Sequence, residues 1–224
     1  MPAKKYHHGD LKNALIKAGI EILSSDGVHG LSLRKVAQKA GVSHTAPYSH
    51  FADRQALIAA ISTEGYRIIY KQVNDVIRRY PGKPLQQLVE GAFAYIQFAL
   101  RDPAHFKVTL SSVLEREKDY PSFVEMSQKS YGLVEQIVER CQAAGLLRPG
   151  PVDLETVSVW SIVHGFVSLL LEGQFYHSLL EHYTVRDLLI SCLSHTTLIE
   201  LTPETYRQME SPQGNIYSAL PRPA

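Results

Sequence analysis

Along this chain apolar residues recur at helical spacing almost throughout, and no alternating strand pattern of any length interrupts them. Leu11, Ala14, Leu15, Ala18 and Ile22 share one face, predicting a first helix from a cap at Asp10 to near Gly27. A second helix opens behind Ser32 and offers Val36, Ala37 and Ala40 as a small apolar face. Gly41 stands where it should stop, because glycine tolerates the left-handed position after a helix. Ser43 is placed to cap a third helix, and Asp53 a fourth. That fourth helix carries Leu57, Ile61, Ile68 and Ile69 to about Tyr80, with Gly65 as a soft point midway.

The PGKP run at 81–84 is turn punctuation and the expected domain boundary. Beyond it, amphipathic helices are expected over 85–101 and 104–115, divided at Asp102-Pro103. A long helix should follow from about Ser122 to Ala144, ended by Gly145 and the RPGP of 148–151. Residues 153–176 read as a strongly apolar helix and 184–201 as the last one. After Pro203 the chain becomes polar and proline-bearing, which predicts an irregular tail over 202–224. The fold class expected is all-α, with a head over 8–68 and a body over 84–201.

Within the head, residues 32–57, SLRKVAQKAGVSHTAPYSHFADRQAL, combine two short helices and a tight turn. This is a helix-turn-helix over 33–52, a motif whose second helix enters the DNA major groove. The residues it would present are His44, Thr45 and Ala46, followed by Tyr48, Ser49 and His50. Thr45 can donate or accept a hydrogen bond, and its methyl group, like that of Ala46, suits a thymine methyl. His44 can reach a base or a phosphate, while Ser32 and Ser43 offer hydroxyls and helix N-termini to the DNA backbone. The plain alternative is a helical hairpin inside a packed core. Polar His44, Thr45, Ser49 and His50 then stand where such a hairpin would want apolar side chains.

Charge sharpens this picture through its distribution rather than its total. The formal net charge is only +1, and a 45% hydrophobic, 20% charged composition is that of a globular protein. Up to Arg54, eight basic residues face four acidic ones. Of the chain's 23 basic and 22 acidic residues, fifteen and eighteen therefore remain beyond it. A basic head on a slightly acidic body suits nucleic-acid binding at one end. Cys141 and Cys192 lie far apart without CxxC spacing, so free buried thiols are favoured while a disulfide stays open. With no signal-like N-terminus and no apolar stretch reaching the ~18 residues of a span, a cytoplasmic protein without a membrane partner is expected.

The wording of YHHGDLKNALIKAGIEIL and of LSLRKVAQKAGVSHTAPYSHFADRQAL resembles the DNA-binding domain of TetR-type (TetR/AcrR) transcriptional regulators. The resemblance is close over roughly 8–68 and loose beyond. Leu33, Val36-Ala37, Ala40-Gly41-Val42-Ser43, Tyr48, His50-Phe51 and Leu57 carry it. It implies phosphate contacts at Tyr48 and His50, a base or backbone contact at Arg34, and a phosphate grip at Arg54. Lys4, Lys5, His7 and His8 could add contacts from an arm. Pro47 departs from the pattern, standing where a branched apolar residue is usual. One backbone bond should be lost there, tilting the recognition helix.

In the body, VSVWSIVHGFVSLLLEGQF (157–175) contains a Trp-x-x-x-His-Gly pattern that is similar to the C-terminal domain of one subgroup of that family. Its stripe of Trp160, Val163, Val167, Leu170 and Leu171, and a second of Val185, Leu188, Leu189, Cys192, Thr196 and Ile199, mark the last two long helices. The resemblance implies that these pair with their twofold mates in a homodimer, so that two heads read a palindromic DNA operator. Simple intramolecular packing of both stripes is the alternative. The family also implies a small-molecule effector, apolar or aromatic, within the body. Candidate lining residues are Phe93, Gln97, Phe98, Phe106, Leu110, Phe123, Met126, Tyr131, Trp160 and His164, each of which could equally be core.

Catalysis has little to rest on. His177 and His182 miss zinc-helix spacing, and no phosphate loop, GxSxG elbow or carboxylate–histidine cluster with ligand spacing occurs. No metal and no cofactor are expected. The function expected is a ligand-responsive repressor, against a helical enzyme or a helical interaction module that does not bind DNA.

Overall fold

The computed structural model describes residues 8–110, 114–175 and 177–209. Among them the chain forms ten α-helices and two short 3-10 turns, with one isolated antiparallel bridge between Leu147 and Thr197. The helices are α1 (His8–Gly30), α2 (Leu33–Ala40), α3 (Arg54–Arg79), α4 (Pro84–Arg101), α5 (Pro103–Leu110) and α6 (Pro121–Ala143). They continue as α7 (Val152–Leu171), α8 (His177–His182), α9 (Val185–Ser194) and α10 (Pro203–Met209). The 3-10 turns are Ala46–Ser49 and Glu117–Asp119.

Local chemistry sets most boundaries. The Ser32 hydroxyl accepts the Lys35 N–H at 3.2 Å, and an Asp53 oxygen accepts the Ala56 N–H at 2.8 Å. Gly41 takes the left-handed conformation (φ 70°) and returns its N–H to the end of α2. Other boundaries differ from expectation. Helix α1 already begins at His8, so Asp10 lies inside it, and Gly27 (φ 67°) breaks it before a last turn to Gly30. The final stretch splits: α9 stops at Ser194, where the Thr196 and Thr197 hydroxyls turn back to the carbonyls of Leu193 and Ser194. Part of the expected irregular tail is helical, because buried Leu201 and Tyr206 dock α10 against the body.

Two clusters of buried side chains share α3 as a common beam. The head cluster joins Leu15 and Ile22 of α1, Leu31, Val36, Phe51 and Leu57 with Val108, Leu114 and Phe123. The body cluster joins Ile69 and Val73 of α3 with Phe93, Phe98, Phe106, Ile137, Val163, Leu189 and Tyr206. Helix α5 belongs to both. The Ser62 hydroxyl donates to the Val108 carbonyl at 3.2 Å, and the His105 Nε2–H donates to the Ile61 carbonyl at 2.9 Å. Gly65 does not soften α3, which runs unbroken. A Cβ there would stand 1.9 Å from Thr109 Oγ1, so glycine admits α5.

Helix α7 corrects the hydropathy reading. Its 20 residues reach a mean hydropathy of 1.6 over an 18-residue window, so by length and composition it meets the requirement for a span. In this fold Val159, Val163, Phe166, Val167 and Leu170 of α7 lie in the body core. Both cysteines are free, and burial pushes the Cys141 thiol up to about 12.

Candidate functional site

The segment expected to read DNA is a single 3-10 turn where a helix capped by Ser43 was expected. Pro47 is the reason. An α-helical bond to the Ser43 carbonyl needs the N–H of residue 47, which proline lacks. Its ring also disfavours helical backbone at the preceding residue. The Ser43 carbonyl instead accepts from Ala46 at 3.0 Å, and the Thr45 carbonyl from Tyr48 at 3.2 Å. The Pro47 carbonyl then accepts from both His50 and Phe51 at 2.9 Å. The Ser43 hydroxyl caps no helix and pairs with the Thr45 hydroxyl at 3.1 Å.

Burial of Pro47 and Phe51 roots this turn in the head core. His44, Thr45, Ser49 and Tyr48 consequently face outward, with Tyr48 62% exposed, while Ala46 is half-buried. Arg34 is exposed on the neighbouring α2. Lys35 and Lys39 pair with Asp26 and Glu21 at 3.0 and 3.3 Å, which damps two of the head's cations. His50 is half-buried beside the Phe51 ring, and its Nε2 is enclosed without a hydrogen-bond partner among the described residues. Arg54 is engaged within the head: Nε donates to the Leu31 carbonyl at 2.9 Å and Nη2 to the Val28 carbonyl at 2.6 Å. It ties the α1–α2 junction to the start of α3. Lys4, Lys5 and His7 lie outside the described residues.

In the body, α3, α4, α6 and α7, with Leu110 of α5, line a half-open cavity of about 440 Å³. Of the residues expected to line it, Leu110, Tyr131 and Trp160 do. Phe93, Phe98 and Phe106 are instead buried core, and Gln97 is half-buried off the wall. Phe123 packs edge-on against Tyr66 in the head cluster, with ring centroids 5.5 Å apart. Met126 is off the wall, its carbonyl accepting from the Ser130 hydroxyl at 2.8 Å. His164 stands behind the wall, Nδ1 lying 2.8 Å from the Tyr95 hydroxyl.

Tyr66, Tyr95 and Glu135 line the cavity and were missed. A signal existed: Tyr66 continues the face of Ile69 and Val73, and Tyr95 that of Leu88 and Ala92, at helical spacing. Burial first, then the Glu117 charge, pushes the Tyr66 hydroxyl up to about 12. Burial also raises that of Tyr95, with the Trp160 side chain opposing the shift. The Tyr95 hydroxyl and His164 Nδ1 share a hydrogen bond whose direction follows the imidazole tautomer. Burial lowers the His164 pKa, which favours a neutral ring.

Both parts of this geometry have counterparts among known proteins. Residues 15–61 match the family described as bacterial regulatory proteins, tetR family. Residues 88–193 match the family described as tetracyclin repressor-like, C-terminal domain. The uncharacterized HTH-type transcriptional regulator YobS of Bacillus subtilis is 24% identical over 173 residues, 75% of this chain and 82% of that protein. The HTH-type transcriptional regulator AcrR of Shigella flexneri is 24% identical over 175 residues, 75% and 79% of the two chains. A solved structure of a protein with unknown function from Rhodococcus sp. RHA1 superposes with a TM-score of 0.73 at 28% identity, covering 86% of this chain and 96% of its own. Since head and body are matched in chain order, and the regulators span most of both lengths, the chain belongs to the TetR family of helix-turn-helix transcriptional regulators.

Proposed function

We propose that this regulator is a ligand-responsive repressor that binds a palindromic operator as a homodimer in the cytoplasm. One observation carries the coupling. Leu110 of α5 borders the cavity, whereas the adjacent Val108 and Thr109 dock on α3 at Ser62 and Gly65. A guest that displaces Leu110 therefore pulls on the helix that braces the head. It acts only to the extent that it binds one arrangement better than the other. The unit boundaries 8–68 and 84–201 describe these two working parts, and α3 and α5 join them.

At the head, we assign base contact to Thr45, Ala46 and His44, and backbone contact to Tyr48, His50, Ser32 and Ser43. Arg34 can reach either. The engaged guanidinium of Arg54 favours a positioning role over the phosphate grip that the family pattern suggests. For the dimer, the outward side of α7 offers exposed Leu154, Val157 and Leu169, with Ser161 and open Gly165 between them. A twofold mate would cover that strip together with α9. Trp160, His164 and Gly165 form the Trp-x-x-x-His-Gly pattern by which we place the chain in one subgroup of the family.

The test is to select bound duplexes from a random pool with the purified protein, then repeat the selection with Thr45→Ala and Arg34→Ala. Thr45→Ala should change the preferred sequence. Arg34→Ala should weaken all sequences and reduce the salt slope by about 1. Recovery of no preferred sequence by the parent protein would sink the reading.

A further inference from the structure

Three hydroxyls are exposed along the turn proposed to read DNA, those of Ser43, Thr45 and Ser49. Each already has a hydrogen bond inside the turn. Ser49 Oγ donates to the Ala46 carbonyl at 2.7 Å, so its lone pairs alone remain for a partner. Ser43 caps no helix, and its Oγ lies 3.1 Å from Thr45 Oγ1, where either hydroxyl can donate to the other. Such a pair keeps one proton free. When Ser43 donates, Thr45 holds that proton and can offer it to an acceptor. When Thr45 donates, Ser43 holds the proton, and Thr45 presents lone pairs only. A DNA phosphate oxygen accepts and does not donate, so a Ser43 hydroxyl that meets it must give up its own proton. The contact selects the second arrangement.

Building on the assignment of Ser43 to the DNA backbone and Thr45 to the bases, we propose that a phosphate fixes Thr45 as a hydrogen-bond acceptor by way of Ser43. The bonds run from Thr45 O–H to Ser43 Oγ, and from Ser43 O–H to the phosphate. Thr45 Oγ1 then takes a proton from an exocyclic amino group, that of adenine or cytosine. It rejects the keto oxygens of thymine and guanine, because two acceptors facing each other have no proton between them. Ser43 is therefore a positioning residue that acts on the base through Thr45.

The base pair to probe is the one whose preference changes in Thr45→Val, which keeps the shape and removes the hydroxyl. Inverting that pair exchanges its amino and keto groups, and the full chain should bind the inverted operator at least about fivefold more weakly. Replacing the keto oxygen of the original pair by sulfur should leave affinity within about twofold, whereas methylating its amino group should cost as much as inversion. Ser43→Ala frees Thr45 to donate, so its affinities for the two operators should fall within about twofold of each other. Ser43→Thr should restore the preference. Adding Ser43→Ala to Thr45→Val should leave the ratio unchanged, since the hydroxyl through which Ser43 acts is gone. A loss with the sulfur analogue but none with the methylated one would show Thr45 donating. An equal loss for both operators in Ser43→Ala would show Ser43 gripping the backbone alone. Either result overturns the proposal, as would a Thr45→Val chain that kept every preference of the parent. If the parent selected no preferred sequence, the DNA-reading function would fall with it. Both side chains are exposed, so the urea midpoints of all variants should match the parent and separate altered reading from altered fold.

Discussion

Pro47 alters the proposed reading surface through one missing hydrogen. Without its N–H the segment closes as a 3-10 turn, and the buried ring fixes where Thr45 and Tyr48 project. Arg54 illustrates the converse, a charged side chain drawn into the scaffold. Arg54→Ala leaves the Leu31 carbonyl without the Arg54 donor and the Val28 carbonyl with only the Leu31 N–H at 3.3 Å, so urea denaturation should show a loss of about 2 kcal/mol. A residue serving only as a phosphate grip would leave stability untouched. His164 gives a pH signature. Its folded pKa lies below the ordinary 6.5, so in that window the unfolded chain binds the extra proton. Stability should therefore fall as pH drops below about 6.5 toward the lowered value, and His164→Gln should flatten that part of the profile, measured as urea midpoint against pH.

Helix α5 is short, yet it is the joint between head and cavity. Gly65→Ala would press a methyl onto Thr109, with an expected cost of about 2 kcal/mol and a shift of α5 away from α3. Thr109→Ala in the same chain should recover part of that cost, and the double-mutant cycle should report coupling. If the two changes were simply additive, the Gly65–Thr109 contact would not be the one that seats α5. The caps that fix α2 and α3 were legible because each needs only residues three or four apart, as with Ser32–Lys35 and Asp53–Ala56. The Ser43 cap failed because Pro47, four residues on, removed the bond that would have made a helix worth capping.

Across the molecule, the C-terminal helix closes the body rather than trailing from it. The Tyr206 hydroxyl donates to buried Glu90 at 2.7 Å, and Arg186 pairs with the same carboxylate. The Arg186 guanidinium lies over the rings of Phe93 and Tyr206, 5.2 and 5.4 Å from their centroids. Tyr206→Ala should destabilise the protein by about 3 kcal/mol in urea, because it empties a fully buried ring site and strips a partner from a buried charge. Tyr206→Phe should cost only about 1 kcal/mol, the hydrogen bond alone. A chain ending before Pro203 that melted like the full protein would show that α10 contributes nothing.

By itself the sequence determined the all-helical class, the Ser32 and Asp53 caps of the head and the outward placement of His44, Thr45 and Ser49. These follow from period and local hydrogen bonding, which act over a few residues. It could not tell which aromatic residues line a cavity and which fill the core. Phe93, Phe98 and Phe106 have the same apolar chemistry as the wall residues, and only the angles at which α3, α4, α6 and α7 pack leave space beside Tyr66, Tyr95 and Trp160. Glu135 stayed hidden for the same reason. A carboxylate on an amphipathic helix looks fully solvated until packing sets it at the edge of a cavity, because burial depends on neighbours distant along the chain.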